Sequence, residues 1–164
     1  MNCIGVIGLG SISNRHRQNI RQIFKKATII VAPSNPLSTK KNIQNYDVYE
    51  SDFKNLLNHS LDFVIVASPS TFHLNHAEPF IRAKIPLLIE KPIASSAKDA
   101  TALLQLIEQY QSRVAVGYCL RFLPSAIKAR EVIQKQMLGS IYNIEINSGS
   151  YLPNWRPSID YKDS

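Results

Sequence analysis

Residues 3–20 read CIGVIGLGSISNRHRQNI, and the interpretation of the whole chain turns on this stretch. Cys3 to Ile7 is a short apolar run, with β-branched Val6 and Ile7 beyond a glycine, long enough for one buried strand and too short for a helix. Gly8, Leu9, Gly10, Ser11, Ile12 and Ser13 follow the G-x-G-x-x-G spacing with serine in the third place, and a helical pattern (Ile12, Ile20, Ile23, Phe24) begins directly afterwards. The order is therefore strand, tight turn, helix. Gly8 suits the sharp turn, Gly10 lets backbone approach a pyrophosphate closely, and the free N–H groups opening the helix face the anion. An ordinary glycine-rich turn would use similar residues. The flanking strand and helix favour a dinucleotide site contacted by Gly8, Leu9, Gly10, Ser11 and Ile12.

The 164 residues suffice for one sizeable core and little more. A composition 45% hydrophobic and 19% charged is that of a soluble globular protein, and no apolar run approaches the roughly 20 residues of a membrane helix. The N-terminus lacks the basic start and long apolar block of a signal peptide, and Cys3 and Cys119 show no metal-ligand spacing. The expectation is a cytoplasmic protein without a metal. The net charge of +7 is concentrated before residue 47, where Arg15, Arg17, Arg21, Lys25, Lys26, Lys40 and Lys41 occur without an acid. Such a cluster attracts phosphates, but Arg17, Lys25 and Lys26 read best as a solvated helix face, and no aromatic interleaving supports nucleic-acid stacking.

Ala27 to Val31 reads as a second strand, ended by Pro33, Ser34, Asn35 and Pro36. An acid about 20 positions beyond the glycines holds the ribose 2′-hydroxyl in NAD-selective sites, and here Ser34 or Asn35 stands instead. Small neutral residues with Lys40 and Lys41 nearby lean toward NADP over NAD. Strands are further predicted at Tyr46 to Tyr49, Leu61 to Ala67, Pro86 to Ile89 and Arg113 to Gly117. Helices are predicted at Asp52 to Asn58, Thr71 to Lys84 and Ser95 to Gln111. Alternating strands and helices imply an α/β fold, a doubly wound parallel Rossmann sheet with its ligand edge at the strand carboxyl ends, including Ala67, Ser68 and Pro69. Residues 1–120 would form this dinucleotide-binding domain. Residues 121–164 would begin an incomplete second α+β domain, with a helix over Pro124 to Met137, a half-wet strand over Ser140 to Ser150 and a proline-rich tail.

Four stretches stand in register: Gly8 to His16, Ala67 to His73, Glu90 to Pro92, and Gly117 to Pro124 (GYCLRFLP). Their order and spacing resemble the glucose-fructose oxidoreductase / inositol dehydrogenase (Gfo/Idh/MocA) family. The resemblance implies an oxidoreductase that moves a hydride between a nicotinamide and a carbon bearing a hydroxyl or ketone on a sugar or cyclitol. Lys91 matches the family's catalytic lysine, which exchanges a proton with the reacting oxygen. Glu90 matches a residue near the nicotinamide ribose, or serves as the counter-ion of Lys91, and Pro92 is expected to follow a cis bond. His73 matches a histidine close to the cofactor; on its own it reads equally as a helix-start histidine bonded to backbone. His16 fits the pattern with a structural role, whereas His59 and His76 carry no signal.

Tyr118 and Arg121, just past the sixth strand, and Trp155 and Arg156, in a tail resembling members of surface-polysaccharide sugar metabolism, are candidate substrate contacts. Cys119 stands where relatives often carry asparagine, which puts that contact in question. Ser13 in place of glycine adds bulk where helix and strand pack, an expected cost to affinity. The resemblance also implies a longer protein that assembles as a homo-oligomer, of which this chain is the N-terminal fragment. The alternative is a short, non-catalytic nucleotide-binding or sensing protein.

Overall fold

The computed structural model describes residues 2–37 and 42–149. The chain divides into two compact units, Met1–Cys119 and Leu120–Ser164. In the first, the strands are β1 (Cys3–Ile7), β2 (Thr28–Ala32), β3 (Val48–Tyr49), β4 (Phe63–Val66), β5 (Leu87–Ile89) and β6 (Val114–Val116). They form one parallel sheet in the order β3-β2-β1-β4-β5-β6. The order reverses between β1 and β4, and such a switch point opens a crevice beyond the strand carboxyl ends.

Alternation along the strands divides the core into two layers. Ile4, Val6, Ile29 and Ile65 point to one face, with Ile20 of helix α1 (Ser11–Ile23). Ile7, Ile30, Val64 and Val66 point to the other, against Ala77, Phe80 and Ile81 of α2 (His73–Arg82) and Leu103 of α3 (Ala97–Tyr110). The pairing Gly5↔Ile30 and Gly5↔Val64 keeps each set on its own face. A slip of one residue would exchange the two sets, so burial on both sides specifies the register.

Most of the predicted helices occupy their expected places, with local differences. The helix expected from Thr71 to Lys84 opens as a 3-10 turn at Ser70–Phe72 before α2 begins, and a 3-10 helix at Phe53–Asn58 connects β3 to β4. Ser96 is the N-cap of α3, its hydroxyl accepting from the Asp99 N–H at 3.1 Å.

In the second unit, α4 (Pro124–Gln134) starts with proline in its first turn. The strand expected over Ser140 to Ser150 is not formed within residues 140–149, and Ile141, Ile144 and Ile146 are exposed. A strand needs a neighbour for its N–H and C=O groups, and alternation alone supplies none. Trp155 and Arg156, with Lys40 and Lys41, lie outside the described residues.

Candidate active site at the carboxyl edge of the sheet

The ladder of the sheet runs one residue past each strand and brings the four motif stretches level. Gly8 donates to the Ala32 carbonyl at 2.8 Å, Ala67 to Ile7 at 2.9 Å, Glu90 to Val66 at 2.9 Å and Gly117 to Ile89 at 2.8 Å. Motifs far apart in sequence thus share one edge.

Gly8 has φ +111, and a β-carbon there would lie 2.5 Å from the Ala67 carbonyl oxygen. The β1 turn and the β4 loop therefore pass in backbone contact, which only glycine permits. At Gly10 a β-carbon would meet nothing within 4 Å. This residue is the N-cap of α1, whose first helical bond runs from the Asn14 N–H to the Gly10 carbonyl at 3.0 Å, with no capping side chain. The N–H groups of Ser11, Ile12 and Ser13 are left to point out of the helix end. Open space in front of free donors at a positive helix end fits a dinucleotide's pyrophosphate. Leu9 lies between, half-buried.

Ser13 is fully buried, and its hydroxyl donates to the Gly8 carbonyl at 2.6 Å. The added side chain thus ties the turn down where a glycine would only have allowed close packing. Arg17 requires a correction: it is not on a solvated face but 2% exposed. It lies one helical turn beyond Ser13, on the side of α1 that faces the segment before β3, and its Nε donates to the Gln44 carbonyl at 2.9 Å. Burial lowers the affinity of its guanidinium for its proton. Lys25 and Lys26 are exposed, as read.

At the end of β2, Ser34 is half-buried and Asn35 exposed, and the Asn35 side-chain oxygen accepts from the Leu37 N–H at 2.9 Å. No acid stands in this turn. The next one along the described chain, Asp47, accepts from the Ile29 N–H and pairs with Arg21, both at 2.7 Å.

Ser68 and Pro69 follow β4, and two histidines of α2 hold Ser68. His73 is 1% exposed, with Nε2 at 2.9 Å from the Ser68 carbonyl oxygen and Nδ1 at 2.9 Å from that of Pro92. The ring makes the backbone bonds of the second reading and staples the β4 loop to the loop after β5. Sequence reasoning missed His76, equally buried, whose Nδ1 meets the Ser68 hydroxyl at 2.8 Å between the rings of Phe53 and Phe72. The available signal was its spacing, one turn after His73 on the face that carries Ala77 and Phe80.

Burial, then the charge of neighbouring His73, pushes His76 from its ordinary value near 6.5 to about 4. A histidine depressed in the folded state binds its proton first in the unfolded chain. His76 therefore costs the fold nothing above the ordinary value, and stability is lost as the pH falls from there toward the folded value. The loss amounts to about 3 kcal/mol. Urea midpoints measured on both sides of this window should fall in the wild type and fall much less in His76→Asn.

Glu90, at the end of β5, pairs with His16 of α1, Oε1 to Nε2 at 2.7 Å. Its other oxygen accepts only the backbone N–H of Lys91, at 3.3 Å, so among the described residues the side chain that meets Glu90 is His16 and not Lys91. Gly117 leaves room for the carboxylate, since a β-carbon there would lie 3.2 Å from Glu90 Oε1. Lys91 is exposed and the Lys91–Pro92 peptide is cis. The lysine loop is thus held from two directions, by His16 through Glu90 and by His73 through Pro92.

Tyr118 is exposed just beyond β6, and Arg121 is exposed in the second unit. Among the described residues no three His, Cys, Asp or Glu side chains are grouped to hold a metal, and no helix is long and apolar enough to cross a membrane.

A family model described as "Oxidoreductase family, NAD-binding Rossmann fold" matches residues 3–118. An oxidoreductase of Bacillus subtilis, YrbE, is 26% identical over 160 residues, which span 96% of this chain and 46% of that protein. The rhizopine catabolism protein MocA of Rhizobium meliloti is 25% identical over 85% of this chain and 44% of its own length. Among solved structures, scyllo-inositol dehydrogenase from Lactobacillus casei, with bound NAD(H) and scyllo-inositol, superimposes with a TM-score of 0.72 at 28% identity, over 86% of this chain and 43% of that one. The chain spans about half the length of the relatives it matches. With the family model matching most of its length, on a six-stranded parallel sheet, the chain belongs to the Gfo/Idh/MocA family of oxidoreductases, whose NAD-binding Rossmann fold it carries at residues 3–118.

Proposed function

We propose that this chain is the cofactor-binding part of an NAD(P)-dependent dehydrogenase or reductase acting on a hydroxyl or ketone carbon of a sugar-like or cyclitol substrate. The observation that carries the reading is the exposed Lys91, on a loop pinned to the nucleotide helix by His16–Glu90 and to the β4 loop by His73. Pinning from both sides suits a group that must meet a substrate oxygen in fixed geometry.

The nicotinamide, when bound, supplies the hydride acceptor or donor. The chain's own residues divide the remaining work. The Gly8–Gly10 turn and the N–H groups of Ser11, Ile12 and Ser13 hold the phosphates. Glu90 and His16 set the direction of the loop. Lys91 Nζ takes the proton from the substrate hydroxyl in oxidation and returns it to the carbonyl oxygen in reduction. Tyr118 and Arg121 belong to this reading as substrate contacts, as do Trp155 and Arg156. The complete protein is read as a cytoplasmic homo-oligomer acting on a small molecule, not on nucleic acid. The exposed Ile141, Ile144 and Ile146 support the oligomer as a surface that further structure would cover.

The neutral turn Pro33–Asn35 supports acceptance of NADP, since no carboxylate stands there to repel a 2′-phosphate. Titrating the protein with NADH and NADPH should give an NADPH affinity at least equal to that for NADH. Preference for NADH by more than about tenfold would remove the NADP reading. Turnover of the complete protein against a panel of inositols and nucleotide sugars tests the substrate class. Dinucleotide binding with no turnover on any of them would leave a nucleotide-binding protein only.

A further inference from the structure

Arg17 is buried, yet its partners among the described residues are all neutral: the Ser13 hydroxyl at 2.5 Å, the Gln44 carbonyl at 2.9 Å and the Asn14 side-chain oxygen at 3.4 Å. No carboxylate pairs with it among the described residues. A buried cation without a counter-charge is costly to any fold. The helix dipole gives no help, since Arg17 sits in the middle of α1, away from the first and last turns where that effect acts. The fold nevertheless keeps this charge within two hydrogen bonds of the glycine turn, because the Ser13 hydroxyl that accepts from Arg17 donates in turn to the Gly8 carbonyl.

We propose that Ser13 and Arg17 form an anion-positioning pair, in which Arg17 is the buried counter-charge of a pyrophosphate bound at the Gly8–Gly10 turn and acts on that turn through Ser13. The ligand class is a nucleotide bearing a pyrophosphate, and the negative charge that Arg17 lacks within the chain is the ligand's. Arg17 touches no phosphate itself. It polarises the Ser13 hydroxyl, which holds the Gly8 carbonyl down and leaves the turn's N–H groups facing out. On this view Ser13 in place of the third glycine strengthens phosphate binding and does not merely survive a tight packing site. The inference rests on the dinucleotide reading of the turn.

The test is the affinity of the purified chain for NADH and for adenosine, which shares the base and ribose but carries no phosphate, in wild type, Arg17→Met, Arg17→Lys and Ser13→Gly. Arg17→Met should bind NADH about tenfold more weakly and adenosine almost unchanged, and Arg17→Lys should recover part of the NADH affinity. Ser13→Gly should also lose NADH affinity, although it restores the third glycine of the motif. Loss of NADH and adenosine in equal proportion would assign Arg17 to the support of the Gln44 segment alone and overturn the proposal. Unchanged NADH binding in Arg17→Met or Ser13→Gly would overturn it as well. Should Arg17→Met fail to fold, Ser13→Gly decides the question. A wild-type chain that binds no NADH refutes the dinucleotide reading itself, a result distinct from a wild type that binds and variants that bind equally well.

Discussion

On the proposed dehydrogenase function, Lys91→Ala in the full-length protein should lower kcat by roughly a hundredfold to ten-thousandfold, the range that a positioned general acid–base group contributes. The dissociation constant for the dinucleotide should stay near the wild-type value, because the phosphate turn and helix end do not involve this side chain. The side chain is exposed, so its truncation should alter stability by no more than about 0.5 kcal/mol. Lys91→Arg is the informative companion: it keeps the positive charge but cannot release its proton near neutral pH, and should be nearly as inactive. Steady-state kinetics with a thermal melt of each variant makes the check. Full turnover in Lys91→Ala would remove the proton-transfer assignment, whereas a lost melting transition would show that the loop had a structural duty.

Gly8→Ala and Gly10→Ala should fail in opposite ways. At Gly8 the new β-carbon would lie 2.5 Å from the Ala67 carbonyl oxygen, on a backbone with φ +111. Neither the strain nor the clash can relax without moving β1 away from β4, so the fold should lose about 3 kcal/mol or more. That is a large share of the roughly 5–15 kcal/mol that holds a domain together. At Gly10 nothing lies within 4 Å of the new atom, so the protein should melt at its usual temperature. The methyl group would instead occupy the space in front of the helix N–H groups, and dinucleotide affinity should fall by about tenfold or more. Denaturation curves and NADH titrations on both variants separate the effects. A stable Gly8→Ala chain would mean that the turn and the β4 loop are not in contact. Undiminished NADH binding by Gly10→Ala would mean that the pyrophosphate lies elsewhere.

The parts of the site visible in the sequence are those with short-range causes. The glycine turn was read from its immediate neighbours, whereas the role of Lys91 and the cis Lys91–Pro92 bond were expected from the family resemblance of one contiguous tripeptide. Contacts between motifs were not visible in this way. Glu90 was given two possible partners, the cofactor ribose or Lys91, and neither was His16, because the two residues lie 74 positions apart and meet only when α1 packs beside the end of β5. Arg17 was misread for a related reason. A basic residue on a helix is usually solvated, and only the course of the segment around Gln44 covers this one. His76 was passed over because its partner, the Ser68 hydroxyl, lies in a different segment, and its spacing after His73 marked only the buried face.

What the sequence determined by itself was the fold and its ligand edge. Runs of apolar residues at strand length, alternating with helical patterns and broken by glycine and proline, leave little choice beyond a parallel sheet, and such a sheet binds ligands at its carboxyl ends. The tertiary structure alone decided which side chains hold that edge together: His16 on Glu90, His73 between Ser68 and Pro92, and Arg17 beneath Ser13. It also left residues 140–149 without the strand their alternation suggested. The physical reason is common to these cases. Periodicity is a property of a single segment, whereas a hydrogen bond or an ion pair is a property of two segments, and its partner exists only once the chain has folded.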